Sequence, residues 1–174
     1  MNVAGQALTI AAPSGFCIDG DSTATSDAGA FVLMSDCALL GGGGTPAVPA
    51  AMTASISTGG LGGEGDDPVQ SLADLAEFVG SGEGRALLGR SGGSGAVRVL
   101  ATQQHGEVLY VLVEDRGPQP IPGVERRFWR AFLEVDGHIV ALSVLGFEDS
   151  GLDAQEGLDL VAALAAATRA ANGA

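Results

Sequence analysis

The sequence predicts an α+β domain, a mostly antiparallel sheet of about seven to eight strands covered by a C-terminal helix and a shorter mid-chain helix. Three observations carry that expectation. Short runs that alternate apolar and polar residues, or are apolar throughout, recur along the chain; the last four are joined by reversals, among them Asp136-Gly137, a strong hairpin-turn dipeptide. The final segment has helical spacing and a capping signature. Glycine, 28 of 174 residues, is gathered into segments 41–44, 59–65 and 80–95, so it marks connections without a composition break, and residues 1–174 are expected to form a single domain.

Taken in order, residues 7–12 read as a leading strand. Two apolar runs, 16–18 and 31–35, flank a turn-rich segment from Asp19 to Gly29 and read as a hairpin. Residues 50–57 alternate, with Met52, Ala54 and Ile56 on one face and Thr53, Ser55 and Ser57 on the other. A helix is expected over 70–79, where Leu72, Leu75, Ala76 and Val79 recur at helical spacing, and a short turn over 84–89 holds Leu87 and Leu88. Strands at 96–104, 108–113, 128–135 and 139–145 then form a meander. The second of these is apolar on both faces, as suits a central strand covered on both sides. In the third, Trp129, Ala131, Leu133 and Val135 share one face, and Phe128, Arg130, Phe132 and Glu134 share the other. The closing helix begins at Asp153, with Glu156 completing a capping box and Leu158, Val161, Leu164 and Ala165 forming the apolar stripe. Arg169 suits the negative end of its dipole, and Asn172-Gly173 ends it.

Charge excludes whole classes of function. Eight arginines and no lysine face 21 acidic residues, a formal charge of −13. No basic stripe exists to neutralise phosphates, so no nucleic-acid partner is expected, and without lysine the phosphate-loop motif is impossible. Hydrophobic residues make up 46%, too many for a disordered acidic chain. No run reaches the ~18 apolar residues of a membrane helix, because Asp159 and Arg169 interrupt the alanine-rich C-terminal segment, so direct membrane insertion is not expected. The first residues lack the basic and apolar regions of a signal peptide. Such an abrupt start suits a mature domain whose leader has been trimmed, and equally a short cytosolic protein. The two cysteines, Cys17 and Cys37, lie in or beside the paired apolar runs and are expected to be bridged, with two buried thiols as the alternative. A disulfide there closes a loop of about 20 residues, contributes ~3 kcal/mol in the chain-entropy model, and implies a periplasm or cell surface.

Most motifs that look chemical fail on context. Residues 89–93 match G-x-S-x-G around Ser91, and Asp115 and His138 follow in hydrolase order. A nucleophile elbow needs a strand before the serine and a helix after it, whereas here the order is reversed. Residues 19–27 resemble the oxygen-rich start of a calcium loop, but Ala24 stands where the turn glycine belongs and Ala30 replaces the bidentate glutamate. The glycine-rich stretches 60–65 and 80–84 carry Glu64 and Glu83, which repel phosphate. His105 and His138 have no partners at zinc-ligand spacing and read as surface turn residues. No cofactor or metal is expected. The one basic-aromatic cluster holds Arg126, Arg127, Trp129 and Arg130, three of only eight positive charges beside the sole tryptophan. It reads either as a solvated strand start or as a docking patch, since Arg and Trp are favoured interface anchors.

The runs at 7–19 (ALTIAAPSGFCID), 30–37 (AFVLMSDC) and 127–147 (RFWRAFLEVDGHIVALSVLGF), with the closing helix, resemble small exported proteins of alphaproteobacteria. The later part resembles PsbP-like and DcrB-like α/β/α sandwiches, with residues 9–16 matching their opening apolar strand and residues 132–144 their final hairpin. That resemblance implies an extracytoplasmic, often lipid-anchored accessory protein without catalytic residues of its own; PsbP-like proteins dock on the exposed side of membrane complexes. No lipobox cysteine is present, because Cys17 lies in a strand. The expected function is therefore non-enzymatic docking of a protein partner at the cell envelope through Arg126, Arg127, Trp129 and Arg130. A small serine hydrolase using Ser91 and a small-ligand carrier with a pocket between sheet and helix are the alternatives.

Overall fold

Seven strands pair into one antiparallel sheet in the computed structural model, which describes residues 2–3, 6–41, 44–62, 67–89, 96–118, 123–149 and 151–173. Two short strands, β1 (Asn2–Val3) and β2 (Gln6–Ala7), pair with each other ahead of it. The sheet is built from β3 (Phe16–Ser26), β4 (Gly29–Asp36), β5 (Ala50–Ile56), β6 (Val97–His105), β7 (Val108–Asp115), β8 (Arg127–Val135) and β9 (His138–Gly146). Its spatial order is β3-β4-β5-β9-β8-β7-β6, so the first three strands and the last four form two meanders joined where β5 meets β9. A one-turn helix, α1 (Cys37–Leu40), follows β4; α2 (Pro68–Gly80), α3 (Gly82–Leu88) and the long α4 (Ala154–Ala171) complete the fold. The chain is thus α+β, with the C-terminal and mid-chain helices expected of it.

Alternation along the strands produces two cores. On one face Val32, Met34, Met52, Leu133 and Leu142 meet Val161 and Leu164 of α4. On the other, Leu109, Val111, Val113 and Phe128 meet Leu72 and Val79 of α2 and Leu88 of α3. The faces of β8 fall as its alternation requires, with Trp129, Ala131, Leu133 and Val135 in the α4 core and Phe128 in the other. Asp136 (φ 49°) and Gly137 (φ 75°) form the β8–β9 turn in the left-handed conformation that the dipeptide favours.

Several expectations need correcting. Residues 8–12 are not a strand. Leu8 and Ile10 are buried with period two, but the backbone N–H and C=O of Thr9 bond to the Asn172 side chain (2.9 and 2.7 Å) instead of a neighbouring strand. The polar stretch after Asp19 is strand rather than loop. A bulge between Asp19 and Ala24 absorbs the extra residues, and Ala24, Thr25 and Ser26 then resume pairing with Phe31, Ala30 and Gly29. Within that bulge the Asp19 carboxylate accepts from the Asp21 N–H and the Ser22 hydroxyl, so the first acid of the calcium-like segment is engaged by the segment itself. Strand β7 is covered on both faces, yet it is one place from the edge, since β6 closes the sheet. His138 is buried, not a surface turn residue: its Nδ1 lies 2.9 Å from the Ser57 carbonyl as β9 begins.

Cys17 and Cys37 are joined by a disulfide, their Cα atoms 4.9 Å apart. Asp36, the last residue of β4 and the N-cap of α1, holds this corner. Its carboxylate accepts from the Ala38 N–H, which caps α1, and from the Ala47 N–H ahead of β5. These bonds, that to Ala38 foremost, hold its pKa below the ordinary carboxylate value against the opposing effect of burial. No helix among the described residues is long and apolar enough to cross a membrane.

Candidate functional site

Register gathers charge at one pole of the sheet. The His105-Gly106 reversal starts β6 and β7 in step, and a bulge at Leu100 then shifts the pairing by one, so that Arg98 faces Glu114. Glu114 in turn faces Arg127 on β8. Arg116 follows one residue beyond β7. Glu114 is buried, with 9% of its side chain exposed, and three guanidiniums surround it: Arg116 Nη2 at 3.1 Å from Oε2, Arg127 Nε at 3.7 Å from Oε1, and Arg98 Nη1 at 4.0 Å from Oε2. Burial alone raises the pKa of Glu114, but the bond and charge of Arg116 and the charges of Arg127 and Arg98 outweigh it, and the carboxyl sits below its ordinary value. Arg126 adds a fourth cation, its Nη1 donating to the Arg116 carbonyl at 3.1 Å.

Beside this cluster opens a groove of about 550 Å³ between the ends of β7–β9 and the first turn of α4. Leu112, Trp129, Val144 and Leu152 supply its apolar lining; Glu114, Glu125, Arg126, Arg127 and Glu148 supply its charge. The Trp129 indole N–H donates to the Ala154 carbonyl at 2.6 Å, tying the groove to the start of α4. That turn is fixed by the capping box: the Asp153 carboxylate accepts from the Gln155 and Glu156 N–H groups, and the Glu156 carboxylate accepts from the Asp153 N–H. Gly157 allows the close approach, because a Cβ there would lie 3.1 Å from the Trp129 ring. Across the groove Glu125 has its pKa raised, by burial first and by the charge of Glu148, against the lowering effect of Arg127.

The four residues singled out in the sequence divide between the two faces. Arg126 and Arg127 are exposed at the groove, and Trp129 lines it while contributing to the α4 core. Arg130 projects from the opposite face, where Nε donates to Ser143 Oγ (3.0 Å), Nη1 to the Leu88 carbonyl (3.2 Å) closing α3, and the guanidinium lies 5.4 Å from the Phe128 ring centre. Sequence reasoning missed Arg98, Glu114 and Arg116, which lie far from the 126–130 cluster in the chain and meet it only through pairing. Ser91 lies outside the described residues. Asp115 and His138 sit at opposite poles of the sheet, about 30 Å apart along strands of this length, too far for the carboxylate to orient the imidazole as a triad requires. Among the described residues, no group of three or more His, Cys, Asp or Glu side chains could hold a metal ion.

Fold and groove together define a class: an antiparallel sheet between helices, with an arginine-rimmed groove of mixed charge at one pole. No protein-family model, curated protein or solved structure matches the chain.

Proposed function

We propose that the protein is a non-enzymatic accessory domain of the cell envelope that docks an acidic segment of a protein partner at the arginine-rimmed groove. One observation carries the reading: in a lysine-free chain of charge −13, four of the eight arginines gather at one pole, Arg98, Arg116 and Arg127 about Glu114 and Arg126 against Arg116, and Glu114, Arg126 and Arg127 line the groove there. An acidic partner is repelled by the rest of such a surface and drawn to this end. The disulfide supports an oxidising compartment, and the resemblance of the later strands to PsbP-like domains suggests docking on a membrane complex. A fluorescein-labelled polyglutamate peptide is expected to bind the full chain, and the double variant Arg126→Ser/Arg127→Ser to lose that binding with its circular dichroism unchanged. Equal binding by the double variant overturns the reading.

The groove's place between sheet and α4 also favours a small-ligand carrier. Native mass spectrometry of protein purified from its source tests that alternative, which fails if only the bare chain mass is found.

A further inference from the structure

We propose that Arg98, Arg116 and Arg127 form an anion clamp, positioned by Glu114, that takes an acidic side chain while a neighbouring large apolar residue of the same segment enters the groove. The inference rests on the docking reading and extends it from a charged rim to a defined motif.

Three cations meet the Glu114 carboxylate, and Arg127 also faces Glu125, so three positive charges stand against two carboxylates and one is in surplus. The carboxylate is buried, but the arginine side chains are 60–69% exposed, and each approaches Glu114 through one nitrogen. A guanidinium carries five N–H donors in a rigid fork, so each keeps donors for a second acceptor. Left alone, three such cations repel one another. The shared carboxylate holds them together on β6, just past the end of β7 and on β8, and a carboxylate arriving from solvent then meets donors already in place. Other arginines serve the fold: Arg85 donates to the Gly80 carbonyl, Arg130 to Leu88, and Arg169 pairs with Glu107 at 2.7 Å. Glu114 and Arg127 also line the groove, so the clamp runs directly onto the apolar surface of Leu112, Val144 and Leu152. An acid followed by a large apolar residue fits both halves at once.

The test uses the full, disulfide-bonded chain and two fluorescein-labelled peptides, one alternating glutamate with leucine and one alternating glutamate with serine. Anisotropy is read at physiological ionic strength, where charges beyond about 8 Å are screened. Trp129, the only tryptophan, supplies a second signal through its emission. The leucine peptide is expected to bind more tightly than the serine peptide and to shift Trp129 emission. Arg98→Ser and Arg116→Ser are each expected to weaken it about tenfold. Glu114→Gln is expected to weaken binding as well, although it removes a negative charge; tighter binding by that variant would overturn the positioning role. If Arg98→Ser and Arg116→Ser bind like the wild type while Arg126→Ser/Arg127→Ser does not, the clamp is wrong and the docking reading stands. If neither peptide binds, both are wrong.

Discussion

At Gly157 a missing side chain matters more than a present one. Alanine in a helix interior is favoured over glycine by about 1 kcal/mol, but here its Cβ would press on an indole that the bond to Ala154 keeps from moving away. Overpacking costs about 1–3 kcal/mol. Gly157→Ala is therefore expected to lower stability by about 1 kcal/mol in urea titrations and to shift Trp129 emission. Glu125 poses the opposite case. Its folded-state pKa is raised, so in its charged form it opposes folding, and that penalty vanishes as pH falls through the raised value. Glu125→Gln is expected to stabilise the protein at pH 7, with the gain shrinking toward acid; a gain independent of pH would contradict the assignment. Asp36 and Glu114, both lowered, have the reverse sign: the stability they contribute is complete above their ordinary values and is lost as pH falls through the lowered ones. None of these couplings was legible in the sequence. Arg98 and Glu114 face each other only because Leu100 is an extra residue in β6, and an unbulged hairpin would have placed Arg98 opposite Asp115.

Legibility improves for elements whose information is local. The stripe and caps of α4 lie within one segment, and the helix forms where they place it, from Ala154 with a complete capping box. Asp153→Ala is expected to cost about 1 kcal/mol and to loosen the start of α4 beside Trp129, which thermal melts followed by tryptophan emission would register. The β8–β9 hairpin is equally local, announced by Asp136-Gly137. Segments 8–12 and 20–26 defeated the same reasoning because their partners are remote. The first is governed by Asn172 at the other end of the chain, and the second becomes a strand only because β4 offers it a ladder. Both sheet edges, β3 and β6, carry a bulge, which twists the open row of backbone groups and discourages pairing with another chain.

For the whole molecule, fold class and disulfide could be read in advance, while the groove could not, because it arises where two meanders and a helix meet. The bridge between Cys17 and Cys37, 20 residues apart, is expected to contribute ~3 kcal/mol. Reduction should then lower the melting temperature by about 6 to 12 °C. Two thiols alkylated in natively produced, unreduced protein would show that the bridge does not form. Disulfide and groove share a pole of the sheet, since Ser35, beside Cys17, pairs with Ala51, and Ala50 pairs with Gly146.

The Thr9–Asn172 clasp lies at the other pole. Helix α4 starts beside the groove and runs about 27 Å over its 18 residues before Asn172 grips Thr9. A tether joined at either of these residues would leave the molecule from its far side. Immobilised by such a tether on a sensor surface, the domain would stand like a lamp on a stalk, its arginines turned toward the solution.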